Sequence, residues 1–109
     1  MNSTPSPSDL TMESGPIRLP VHGTTVTAED LRIRLVLAAD FEERTVIDAA
    51  EVESVGQAVL QLLVAAHREA AQSGRPFHIH NPSPAFTSRV VASRLADAIG
   101  LDTEQGDLL

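Results

Sequence analysis

Apolar and polar positions along this chain sort it into short strands and longer helices. Ile17-Arg18-Leu19-Pro20-Val21 alternates, and Pro20 inside the run predicts a short edge strand. His22-Gly23 reads as a turn and Thr24-Thr25-Val26 as a second short strand. Thr27 followed by Asp30 has capping-box spacing, which predicts a helix from there to about Ala39, with Glu29 and Asp30 in its first turn. Within it, Leu31-Arg32-Ile33-Arg34-Leu35-Val36-Leu37 also alternates as a half-buried strand does; the cap and the following alanines favour the helix. Phe41 to Arg44 is a charged loop, and Thr45-Val46-Ile47 is a β-branched strand ending on the carboxylate of Asp48. Glu53-Ser54-Val55-Gly56 then makes a turn.

From that turn Val55, Val59, Leu62, Leu63, Ala66 and Ala70 recur at helical spacing as one buried stripe, closed by Ser73-Gly74. Leu60, Gln61 and Val64 fall off the stripe and leave the outer side of this helix partly apolar, a surface suited to docking. Pro76 to His80 is a strand with Phe77 and Ile79 on one face and His78 and His80 on the other. In Asn81-Pro82-Ser83-Pro84, Ser83 is placed to cap the last helix and Pro84 to open it. Phe86, Val90, Val91, Leu95, Ala98 and Ile99 give that helix its apolar face, and Gly100 stops it. The order β-β-α-β-α-β-α predicts a small α/β domain: a four-stranded mixed sheet, parallel in its later part, with about three helices. The domain is expected over residues 16–101, with Ser/Thr/Pro-rich residues 1–15 and residues 102–109 as disordered tails.

Composition narrows the functional classes. The 109 residues suffice for one core. Fifteen acidic residues stand against eight arginines with no lysine, for a net charge of −7, a field that repels nucleic acid and anionic membranes. Three phenylalanines are the only aromatics, too few for base stacking. No cysteine is present, so disulfides, thiolate metal sites and cysteine nucleophiles are excluded. With no apolar run long enough to span a bilayer and no basic leader, a cytoplasmic location is expected.

Catalysis is not expected. His78 and His80 could share one side of their strand with Asp48 or Glu53, but histidine pairs flanking a strand are usually solvated, and no metal or other cofactor is predicted. Glu53-Ser54-Val55-Gly56 lacks the glycine two positions before the serine that a nucleophile elbow requires, and no phosphate loop with lysine exists. Ser54 reads most simply as the N-cap of the helix that follows, contributing about 1 kcal/mol. Its other reading is a contact or switch residue, where an added phosphate would gain from the helix dipole.

The order of strand, Asp48, turn, Glu53-Ser54-Val55-Gly56, apolar helix, Gly74, strand, Asn81-Pro82-Ser83-Pro84 and a helix ending in Ile99-Gly100-Leu101 resembles a STAS domain. This is the anti-sigma-factor antagonist family, also found at the ends of sulfate transporters. The resemblance covers about Ile17 to Leu101 and implies a non-enzymatic domain regulated by a serine kinase acting on the second serine of Asp-Ser-Ser-Gly. Here the aspartate falls on Glu53, the first serine on Ser54, the phosphorylated serine on Val55 and the glycine on Gly56. Val55 carries no hydroxyl, which leaves Ser54 as the only acceptor in the turn. The resemblance implies docking on an anti-sigma factor or histidine-kinase-like ATPase, in stress or chemotaxis signalling, by a monomer or weak dimer. Partner contacts are expected at Asp48, Glu53, Ser54, Val55, Gly56, Gln57, Leu60 and Gln61. The alternative it implies is a structural subunit of an ABC-type lipid transporter, packing on the ATPase.

Overall fold

The computed structural model describes residues 15–101, so both expected tails lie outside the described residues except for Gly15. The chain runs β1 (Ile17–Arg18), β2 (His22–Gly23), α1 (Thr25–Phe41), β3 (Thr45–Asp48), β4 (Ser54–Val55), α2 (Gln57–Gln72), β5 (Phe77–His80), α3 (Pro84–Ala92) and α4 (Ala96–Ile99). The α/β class holds. In place of one four-stranded mixed sheet, the strands form a three-stranded sheet in the order β1-β3-β5 and a two-stranded sheet β2-β4, every pairing parallel. Each pair of hydrogen-bonded strands is joined by a crossover that contains a helix rather than by a hairpin, so paired neighbours run in the same direction.

Register fixes the faces of the larger sheet. Ile17, Ile47 and Ile79 align across it, and the next row is Arg18, Asp48 and His80. The isoleucine row packs into the core against α1 and α2, whereas Arg18, His78 and His80 are exposed on the other face. Side chains alternate across a strand, so one register sets both faces.

Thr24-Thr25-Val26 is not a strand. Thr24 is instead the N-cap of α1: its Oγ1 accepts from the Thr27 N–H at 3.3 Å, and Thr27 Oγ1 accepts from the Thr24 N–H at 2.8 Å. The capping box is thus one turn earlier than Thr27–Asp30, which places Glu29 and Asp30 beyond the first turn. Burial of Ala28, Leu31, Leu35 and Ala38 follows helical spacing, so the alternating strand pattern is overruled, and the helix continues to Phe41.

α2 ends as expected, with Ser73 at its C-cap and Gly74 at φ 70°. Its buried face is wider than one stripe, because α2 packs against both α1 and α4. Leu60, expected on the outer side, is therefore fully buried, Val64 and Leu62 are half-buried, and Gln61 is exposed. The last predicted helix is two. α3 stops at Ala92, Arg94 turns at φ 61°, and α4 closes on Gly100 in the left-handed conformation at φ 81°.

Candidate functional site

Asp48 ends β3 at a junction of all three strands. The Asp48 carbonyl accepts from Leu19 N–H at 2.9 Å, and Ala49 N–H donates to the His80 carbonyl at 3.0 Å. The Asp48 carboxylate is committed locally, accepting from the Ala50 N–H at 3.0 Å as an Asx turn does. Next, Ser83 binds the turn to α3. Its hydroxyl donates to the Val52 carbonyl at 2.7 Å and accepts from the Phe86 N–H at 3.0 Å, in a buried position. The cap expected of Ser83 is present and also holds down the turn before β4.

The segment expected to be a plain turn at Glu53–Gly56 contains a strand. Glu53 and Ser54 N–H groups both donate to the Val21 carbonyl, at 2.7 and 3.1 Å, and Gly56 N–H donates to the Gly23 carbonyl at 2.8 Å. Ser54 and Val55 thereby pair with His22 and Gly23. His22-Gly23 is correspondingly a strand rather than a turn. Both glycines mark a close approach. A Cβ on Gly23 would meet the Val59 and Val55 methyls at 3.2 and 3.3 Å, and one on Gly56 would meet the Gly23 carbonyl oxygen at 3.2 Å.

Side chains then point two ways. Val55 is buried, only 6% exposed, and joins the core with Val59 and Leu60. Neither Val55 nor Leu60 offers a side chain at the surface, which corrects their expected place among the contact residues. Glu53, Ser54, Gln57 and Gln61 are exposed, and Asp48 and Gly56 are partly so. Ser54 is not the N-cap of α2; Gly56 holds that position without any side-chain cap. The Ser54 hydroxyl instead meets His22 Nδ1 at 2.8 Å across the β2–β4 pair.

Behind this rim stands Arg89 of α3. Its Nε donates to the Val55 carbonyl at 3.2 Å, and its terminal nitrogens donate to the Ser93 hydroxyl and to Gln57 Oε1. One guanidinium thus ties α3, β4 and the first turn of α2 together. A shallow cleft of about 380 Å³ between Glu53, Ser54, Val55, Ala85, Ser88 and Arg89 lies alongside. His22, Ser88 and Arg89 were not singled out from the sequence. His22 reads as part of a turn, and Arg89 is an ordinary charged position beside the apolar stripe of α3.

The chemistry available is polar recognition. Among the described residues His22 has Ser54 as its only side-chain partner, so nothing orients the imidazole as a third group orients a catalytic base. His78 and His80 lie with ring centroids 6.1 Å apart on the exposed sheet face. Glu53 belongs to the other sheet's end, and among the described residues no three His, Asp or Glu side chains converge as a metal would need. Among them, too, no helix is long and apolar enough to cross a membrane.

A family model described as "Mlab, STAS domain" matches residues 9–103. No curated protein and no solved structure matches the chain.

Proposed function

The chain belongs to the STAS domain family, and from that premise we propose that it is a non-enzymatic regulatory domain that binds a partner protein through the Glu53–Gly56 segment and the start of α2. The partner we infer is an anti-sigma factor or a histidine-kinase-like ATPase, met in the cytoplasm. One observation carries the reading: Glu53, Ser54, Gln57 and Gln61 project outward from a segment whose backbone is pinned by β2, α3 and Arg89. A rigid polar rim over a buried Val55 loses little entropy on docking, which favours specific recognition.

In this reading contact is made by Ser54 and its exposed neighbours, while Val55 and Leu60 hold them in place. Incubation with candidate serine kinases and ATP, followed by mapping of phosphate by mass spectrometry, tests the switch. Phosphate on Ser54, lost in Ser54→Ala, supports it. A second reading is a structural subunit packed on the ATPase of an ABC-type lipid transporter. It is favoured by the absence of any hydroxyl at buried Val55, where the family's kinase acts. Co-purification with such an ATPase, with Ser54 unmodified, would select this reading and sink the kinase switch.

A further inference from the structure

A second surface lies at the other end of β3, away from Ser54. A groove of about 680 Å³ opens between the C-terminal half of α1 and the first residues of β1 and β3. Ile33, Leu37 and Phe41 line it at four-residue spacing, a single ridge of α1, and are 53%, 50% and 77% exposed. The opposite stripe of the same helix, Leu31, Leu35 and Ala38, is already in the core. A helix that buries one apolar stripe and shows a second to water has a surface that calls for a cover.

The described residues begin in the wall of this groove, since Gly15 and Pro16 line it beside Ile17. The family match starts at residue 9, inside the segment that leads into that wall. After Met1, that segment holds two apolar residues other than proline, Leu10 and Met12, spaced as alternate positions and flanked by Asp9 and Glu13. Arg44 in the groove wall has no ion-pair partner among the described residues. The lengths also agree. Leu10 to Gly15 spans at most about 17 Å, and Ile33 to Phe41 rises about 12 Å along α1.

We propose that the groove is the docking site of residues 9–14 of the same chain, with Leu10 and Met12 seated on the Ile33–Leu37–Phe41 ridge and the flanking carboxylates near Arg44. Attachment at Gly15 makes this docking intramolecular, at an effective concentration in about the millimolar range, so modest contacts suffice to hold it. The segment thereby covers an apolar face that would otherwise pair with a second copy or another protein.

The protein lacks cysteine, so Thr11→Cys provides one attachment point for a nitroxide on the full chain. The expected result is a strong, selective loss of NMR signal at Ile33, Leu37 and Phe41, unchanged on dilution, with Ser54 and Gly56 unaffected. Adding Leu10→Asp and Met12→Asp should restore those signals while the shifts of Ser54 and Gly56 report an intact fold. No selective loss, or failure of the double substitution to restore the signals, would overturn the proposal. Loss seen only when labelled and isotope-enriched copies are mixed would overturn it in favour of a second copy in the groove.

Discussion

Ser54 and Val55 are neighbours with opposite orientations, and substitutions at them have opposite expected outcomes. Ser54 is exposed and, among the described residues, its hydroxyl bonds only to exposed His22. Ser54→Ala is therefore expected to change stability by no more than about 0.5 kcal/mol in urea unfolding, while weakening capture of the partner in a pull-down. Val55 lies among Val59, Leu60 and the methyl-lined approach of Gly23. Val55→Asp places an unpaired carboxylate in that core and is expected to cost about 3 kcal/mol or more, read as a fall in the urea midpoint. An aspartate here thus reports loss of packing and cannot serve as a clean mimic of phosphate. Sequence alone locates this segment and its missing hydroxyl, because those are properties of single residues. The apolar stripe already counts Val55 as buried; what the sequence does not reveal is that Ser54-Val55 is a strand, because that depends on pairing with His22-Gly23, a partner 32 positions away.

At the scale of elements, what is legible follows local chemistry and what is not follows contact. Thr45–Asp48, the Ser83 cap with Pro84, and the left-handed stop at Gly100 all carry their cause in adjacent residues. β2 and β4 do not: each is two residues long and extended only because the other is there. The break between α3 and α4 is hidden for another reason, since the left-handed residue is Arg94 rather than a glycine. Leu60 is misplaced by the simple stripe because α2 is covered from two sides. Ser83 joins α3 to the turn before β4 by two buried hydrogen bonds. Ser83→Ala removes the cap of α3 and leaves the Val52 carbonyl without that partner, so a loss of about 2 kcal/mol is expected in thermal or urea unfolding. If Ser83 only capped α3, the loss would stay near 1 kcal/mol.

For the whole molecule, charge and connectivity have separate consequences. A net charge of −7 at neutral pH keeps copies apart, and the sequence pI of 4.9 marks where that repulsion vanishes. Light scattering is expected to rise as pH is brought down to about that value, and added salt at pH 7 should have a weaker effect. Connectivity governs how the fold is reached. Every strand pair is parallel, and each joins residues about thirty positions apart with a helix laid between them. Closing one such loop costs about 3 kcal/mol of chain entropy before any contact repays it, and among the described residues no hairpin offers a cheaper first step. The sheet consequently forms only as α1 and α2 dock, and a fragment ending before Ser54 contains no partner for β2. The rim that carries Glu53, Ser54 and Gln57 therefore does not exist in a half-made chain. Docking at this rim, as proposed above, would also read folding, since the rim is there to be gripped only once β2, β4 and α2 have assembled.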